Sequence, residues 1–129
     1  MELVLPIYHT LHRPKAGDKT FLLSLSWYRN AYHQEQNSVK HAYHEVVANQ
    51  LPTPTTPLLA FRTHYQLYYK NPASDPSNII TIIEKFLLDA LQEHHIITND
   101  NAKYHLSSSW EVISQDRDNP RVVVTITPA

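Results

Sequence analysis

The feature that most constrains the fold is one long apolar stripe within residues 71–101. Apolar residues recur there at helical spacing, namely Ile79, Ile82, Ile83, Phe86, Leu87, Ala90 and Leu91. A stripe this wide is typical of a helix that packs against a core. Asp75 and Pro76 suit a helix start, because aspartate accepts hydrogen bonds from free amide groups and proline fits the first turn. The sequence therefore predicts a core helix that begins at this pair.

Segments with strand character lie on both sides of this helix. Residues 59–70 alternate between apolar and polar side chains, which is the period-two pattern of a half-buried strand. Two shorter apolar runs, 2–7 and 19–30, are separated by a polar loop and are also predicted as strands. After the helix, residues 103–113 and 121–127 alternate in the same way, and we expect them to form an antiparallel pair.

A second amphipathic helix is predicted over residues 36–51, with Asn37 as its candidate cap. Three prolines within residues 52–57 end it and predict a stiff connector. The element order is then β-β-α-β-α-β-β. We expect an α+β fold of one small domain over residues 1–129, with a mixed or antiparallel sheet and two main helices.

Composition excludes several classes of site. The chain has no cysteine, which removes disulfides, zinc-thiolate sites and cysteine nucleophiles, and its single glycine excludes glycine-rich phosphate loops. No segment reaches the length of apolar sequence that a membrane span needs, so we expect a cytoplasmic protein without a membrane partner. With 11 basic and 12 acidic side chains, DNA binding would have to depend on locally clustered Lys and Arg.

Polar residues around the core helix form a candidate site. At 100° per residue, Asn78, Lys85 and Asp89 fall on one polar stripe beside the apolar one. Asp75 precedes the helix and Asp100 follows it. If the chain brings these two aspartates together, carboxylates and a lysine converge as magnesium-dependent phosphodiester hydrolysis requires. Each feature also has a structural interpretation, as a helix cap, a surface ion pair or a polar turn.

The order of these motifs resembles one known family. The run "DPSN", then "EKFLLDAL", then "ITNDN", followed by "DNPRVVVTI", resembles RusA-type Holliday junction resolvases of phages and prophages. Their pattern is Asp-x-Asp-Asn, a helix with lysine and "DAL", then "DD". The resemblance extends over residues 62–126, and "LSLSWYRNAY" resembles the N-terminal segment of the family. It implies a homodimer that binds branched DNA, in particular four-way junctions, and cuts it with Mg²⁺, for which Mn²⁺ can substitute.

The resemblance assigns roles to single residues. Asp75 and Asp100 match metal-binding acids and, with Lys85, form the expected catalytic set, while Asp89 matches the helix aspartate as a further metal ligand. Asn78 matches the family asparagine, and Lys85 matches the lysine if one extra helical turn is allowed. Two supporting positions depart from the pattern: Ser77 and Asn99 stand where the family has aspartates. Magnesium affinity depends on the number of carboxylates, so both replacements weaken the expected site.

Three functions remain open at this stage. The first is a metal-dependent endonuclease for branched DNA, with phosphate contacts from Arg29, Lys40, Arg62 and Lys70. The second keeps the fold without the nuclease activity, as a protein that binds DNA junctions or has a regulatory role; it is favoured by Ser77 and Asn99. The third is a protein-interaction domain with no nucleic-acid role, favoured by the balanced charge.

Overall fold

In the computed structural model, which describes residues 1–52 and 56–129, three strands precede the first helix. The elements are β1 (Glu2–Pro6), β2 (Tyr8–Leu11), β3 (Lys19–Leu22), α1 (Leu25–Asn30), α2 (His33–Ala48), β4 (Phe61–Tyr69), α3 (Pro76–Glu93), β5 (His105–Gln115) and β6 (Arg121–Pro128). The α+β class is confirmed, with a mixed sheet and two long helices. The predicted element order missed one strand, β2, and one short helix, α1.

The main sheet has the strand order β1-β6-β4-β5, and β2 and β3 form a separate hairpin. Strand β6 is antiparallel to both β1 and β4, whereas β5 runs parallel to β4. The expected antiparallel pair of residues 103–113 and 121–127 is therefore wrong, because β4 lies between these two strands. Alternating side chains identify a strand and its faces, but they do not say which strand becomes its neighbour.

The core lies between one face of the sheet and the helices. Alternate side chains of three strands point into it: Leu3 and Leu5 from β1, Val122, Val124 and Ile126 from β6, and Phe61, Tyr65 and Leu67 from β4. The stripe of α3 covers them, and all seven of its predicted apolar residues are buried. The two expectations for residues 59–70 and for the core helix are confirmed.

The two helices begin in different ways. Asp75 precedes α3 and its side chain accepts a hydrogen bond from the Ser77 amide, with Pro76 in the first turn, as the sequence predicts. Helix α2 instead begins at His33, and Tyr32 before it makes no side-chain cap. Asn37 lies inside the helix, so its expected role as a cap is wrong. The predicted end near residue 51 is three residues beyond the last helical residue, Ala48.

The segment 19–30, predicted as a strand, divides into a strand and a helix. Strand β3 ends at Leu22, and the Ser24 hydroxyl accepts a hydrogen bond from the Trp27 amide and caps α1. Because serine favours helix N-caps, it ends the extended run of apolar residues here. The Trp27 ring stacks on Phe21 of β3, with ring centroids 4.9 Å apart, and so holds α1 against the hairpin.

The predicted stiff connector of residues 52–57 falls partly outside the described residues, which omit 53–55. After it, Leu58 forms a parallel bridge with Ile97, just before β4 begins. The helices within residues 1–52 and 56–129 include none whose length and apolar character would let it cross a membrane.

Candidate functional site

Asp75 lies at the exposed start of α3. Its Oδ1 atom accepts hydrogen bonds from the amide of Ser77 at 3.1 Å and from the Ser77 hydroxyl at 3.0 Å. Ser77, where the resemblance expects a second carboxylate, therefore donates to Asp75 instead of adding negative charge. Asn78 follows in the first turn and is half-buried. This arrangement satisfies the requirements of a helix cap.

Asp100 lies in a polar turn after α3. The Asn99 side chain accepts hydrogen bonds from the amides of Asp100 at 2.7 Å and Asn101 at 3.2 Å. Such a bond from asparagine to the backbone ahead of it is typical of a turn. Asn99 thus has a local structural role, and its oxygen is engaged by backbone amides.

Asp75 and Asp100 lie at opposite ends of β4 and α3. The amide of Thr98 donates to Leu58 before β4, and the Phe61 amide donates to the Tyr104 carbonyl, so the chain from 98 to 104 stays beside the start of β4. Asp75 instead follows the end of β4. Helix α3 has 18 residues and is about 27 Å long, and Asp75 and Asp100 lie beyond its two ends. A single chain therefore does not bring them together.

Three other predicted residues do meet. Lys40, Lys85 and Asp89 line one cleft of about 190 Å³ between the helices, together with Tyr28, His33, Gln36, Asn37 and Phe86. The Nζ atom of Lys40 is 3.7 Å from Asp89 Oδ2, and the Nζ atom of Lys85 is 5.4 Å from the ring centroid of Tyr28. The predicted polar stripe of α3 is thus partly confirmed, through Lys85 and Asp89. Asn78 is not among the residues that line the cleft.

Histidines border this cleft. His44 of α2 places its Nε2 atom 3.4 Å from Asp89 Oδ2, and its side chain is the more buried of the two. The His94 ring lies across the His44 ring, with centroids 5.9 Å apart, and its Nε2 atom is 3.0 Å from the His44 carbonyl oxygen. Asp89 is therefore shared between Lys40 and His44. Among the described residues, no carboxylate lies within 4 Å of the Lys85 ammonium group.

The other expected DNA contacts are dispersed. Arg29 lies in the last turn of α1. Arg62 points to the sheet face away from the helices, where its Nη1 atom donates to the Ser107 hydroxyl at 3.3 Å. Lys70 follows β4, and its Nζ atom is 5.3 Å from the ring centroid of Tyr8. These three residues and Lys40 occupy different elements and do not form one basic patch.

A polar cluster that sequence analysis missed joins α3 to β4 and β5. The Glu84 carboxylate accepts hydrogen bonds from the hydroxyls of Ser108 at 2.6 Å and Thr63 at 3.4 Å. The Thr63 hydroxyl also lies 2.9 Å from the His105 Nε2 atom. Burial, and after it the neighbouring Glu84 carboxylate, raise the pKa of Tyr65. The sequence held no signal for this cluster, because it depends on the parallel pairing of β4 with β5.

A second missed feature is an ion pair whose carboxylate is buried. The Nζ atom of Lys19 in β3 lies 3.0 Å from one oxygen of Glu35 and 3.4 Å from the other. Burial by itself raises the pKa of Glu35, but the hydrogen bond and charge of Lys19, together with smaller contributions from Trp27 and the Tyr32 backbone, outweigh it and hold the pKa below its ordinary value. The pair joins the β2–β3 hairpin to the first turn of α2, so its role is structural.

The donor sets within one chain do not match a magnesium site. Among residues 1–52 and 56–129, no group of three or more His, Asp or Glu side chains is placed to hold a metal ion. Asp75 and Asp100 are each exposed and are distant from one another, and each is bordered by a neutral residue. Neither the family models nor the curated proteins that were searched include a match to this chain.

Proposed function

We propose that the chain binds branched DNA in the manner of the RusA-type proteins it resembles, and that a single chain does not cut it. The observation that carries the binding proposal is the helix cleft, where Lys40 and Lys85 accompany only one carboxylate, Asp89. Lysine ammonium groups bind phosphate as point charges, and the cleft is open to solvent on the helix side. The distance between Asp75 and Asp100 supports the absence of cleavage by one chain.

Binding should be measured by fluorescence anisotropy of a labelled four-way junction and of a linear duplex with the same sequence. Lys40→Gln and Lys85→Gln each remove one phosphate contact, so we expect weaker binding and a reduction of about 1 in the log–log salt slope for each. Lys15→Gln, in the exposed β2–β3 loop, is the matched control and should leave both values unchanged. If the Lys40→Gln/Lys85→Gln double variant binds like the wild type, or if the wild type does not bind, the proposal is wrong.

Metal-dependent cleavage by two chains acting together is the second candidate function, and one observation favours it. Strand β5 runs parallel to β4, so the Asp100 end of a chain lies at the start of β5 and the Asp75 end lies near its finish. Two chains whose β5 strands run in opposite directions therefore have Asp75 of one at the same end of the joined sheet as Asp100 of the other. Mg²⁺ is the ion that the resemblance implies for such a pair of acids.

Complementation distinguishes this candidate from binding alone. Asp75→Asn and Asp100→Asn chains would each be inactive on a junction in Mg²⁺ or Mn²⁺, while a mixture would regain activity, because one of the two sites in a mixed pair keeps both aspartates. Binding without cleavage by the wild type in either metal would reject the second candidate and leave the first. If the wild type cuts the junction but the mixture of the two variants does not, both acids of each site belong to one chain.

A further inference from the structure

Strand β5 leaves one edge of the main sheet open. It is the last strand in the order β1-β6-β4-β5, and ten of its eleven residues are exposed. Four of them are large apolar residues with between 40% and 44% of their surface accessible, namely Leu106, Trp110, Val112 and Ile113. An open edge of this length presents a row of free amide and carbonyl groups that can pair with another strand.

The opposite edge of the same sheet is closed. The Gln50 side chain donates to the Val4 carbonyl and accepts from the Val4 amide, both at 2.8 Å, and Pro6 has no amide to offer. Strand β5 contains neither proline nor lysine, residues that commonly block an edge. Its register with β4 shifts at Leu106 and Ile113, but residues 107–112 between the two shifts pair regularly. The contrast between the two edges indicates that β5 is the pairing edge of this protein.

The direction of the backbone groups of β5 follows from its pairing with β4. The Phe61 amide donates to the Tyr104 carbonyl, and Tyr65 is in register with Trp110. Because the amide and carbonyl of successive residues point to opposite sides of a strand, residues 109 and 111 face β4. Ser108, Trp110 and Val112 then direct their backbone groups outward.

We propose that β5 pairs antiparallel with β5 of a second copy of this chain, around a twofold axis at Trp110. This register pairs residues 108–112 of the two copies, which lie between the register shifts of β5 at Leu106 and Ile113. Ser108, Trp110 and Val112 lie opposite Val112, Trp110 and Ser108 and form about six hydrogen bonds, which falls in the range of ordinary interfaces. The two sheets join into one of eight strands.

The sequence of β5 is complementary to itself in this register. Its one carboxylate, Glu111, lies opposite the Ser109 hydroxyl of the other copy, and both side chains lie on the face away from the helices. A shift of two residues would instead place Glu111 opposite itself, and like charges directly opposite each other destabilise a strand pair. On the helix face, the two exposed Trp110 rings cover one another between the α3 helices. This self-complementarity is why we assign a second copy as the partner.

Cross-linking tests the register directly, because the chain has no cysteine of its own. Opposite residues of an antiparallel pair have Cα atoms about 4.5 to 5.5 Å apart, which is within the range for a disulfide. Trp110→Cys should therefore give a disulfide-linked dimer under mild oxidation. The matched control is Val4→Cys on β1, where the natural side chain has the same exposure, 44%, as Trp110. Equal cross-linking of the two variants would contradict the proposal.

Sedimentation velocity over a concentration series measures the pairing without modification. We expect a wild-type dimer, a monomer for Trp110→Lys, and a dissociation constant raised about tenfold for Ser109→Glu, which faces Glu111 twice in the dimer. Ser109→Lys provides the matched opposite charge and should not weaken the dimer. Circular dichroism spectra identical to wild type ensure that the variants are folded. A wild-type monomer at every concentration, or equal effects of Ser109→Glu and Ser109→Lys, would overturn the proposal.

The dimer and the proposed function are tested apart, since neither experiment contains DNA. One consequence does rest on the proposed function: each end of the joined sheet carries Asp75 of one copy and Asp100 of the other. A dimer without junction binding would leave the β5 interface standing and reject only the DNA role.

Discussion

Gln50 forms two hydrogen bonds with the backbone of Val4, one to its amide and one to its carbonyl, each 2.8 Å long. The side-chain amide of a residue just after α2 thus occupies the position that another strand would take beside β1. The Gln50 amide group also donates to the Val46 carbonyl at 3.1 Å, which fixes its orientation. A single side chain therefore closes one edge of the sheet.

Gln50→Ala should open this edge. We expect a loss of about 1 kcal/mol in the free energy of unfolding, since both hydrogen bonds are exposed, measured by urea denaturation. Light scattering should show species larger than a dimer, because both edges of the sheet are then free to pair. Gln34→Ala, a change at an exposed position of α2, should alter neither quantity. An unchanged size distribution in Gln50→Ala would show that the edge is blocked by other means.

The capping role of Asp75 can be separated from any role in DNA binding or cleavage. Asp75→Ala removes the acceptor for the Ser77 amide and should lower the free energy of unfolding by about 1 kcal/mol. Asp75→Asn keeps an acceptor and should have nearly wild-type stability, as should the adjacent Ser74→Ala. Thermal unfolding followed by circular dichroism measures all three. Equal losses for the alanine and asparagine variants would mean that the negative charge, and not the hydrogen bond, supplies the stability.

The ion pair of Lys19 and Glu35 should respond asymmetrically to mutation. Glu35→Gln loses a charge-assisted hydrogen bond, with an expected cost of about 1.5 to 3 kcal/mol. Lys19→Ala removes the cation beside the buried carboxylate and should cost more, about 3 kcal/mol or above. Urea denaturation at neutral pH checks this order, and the reverse order would contradict the burial of Glu35.

The same pair predicts a pH dependence. Lys19 keeps the pKa of Glu35 in the folded chain below its ordinary value of 4.5, so the stability from this group is complete above that pH and is lost as the pH falls further. In Lys19→Ala the burial of Glu35 remains while the lowering of its pKa by Lys19 is lost, so the loss of stability on acidification should be smaller than in the wild type. Urea denaturation curves from pH 3 to 7 measure the free energy of unfolding of the wild type and of Lys19→Ala. The control is Glu35→Gln, in which this carboxyl group makes no contribution.

The core helix should be sensitive on one face only. Leu87→Ala creates a cavity at a fully buried position and should cost about 2 to 5 kcal/mol. Gln92→Ala, on the exposed side of the same helix, should change stability by no more than about 0.5 kcal/mol. Both values follow from urea denaturation, and similar costs at the two positions would mean that the helix does not pack as described.

The sequence was sufficient where a pattern is local. Helical spacing in residues 79–91 and alternation in residues 61–69 each follow from the repeat of the element itself, so α3 and β4 were predicted with their buried faces. Neighbours in the sheet depend on contacts between distant residues, and the pairing of β5 with β4 was not predicted. The same holds for the candidate site. Lys85 and Asp89 lie one helical turn apart, and their shared cleft follows from that local spacing. The distance between Asp75 and Asp100 depends on the path of the chain after α3, which no local pattern predicts.

The parallel pairing of β4 and β5 also bears on how the protein folds. Tyr65 and Trp110 are neighbours in the sheet although 45 positions separate them in the sequence. Closing so long a loop costs entropy before any of its contacts form, which slows the formation of the pair. The hairpin of β2 and β3 joins residues that are much closer in the sequence and can form earlier. Strand β6 pairs with β4 across a still longer separation, as between Tyr65 and Val124. We therefore expect β5 and β6 both to join β4 late, so that newly made chains pass through a stage in which β4 is unpaired.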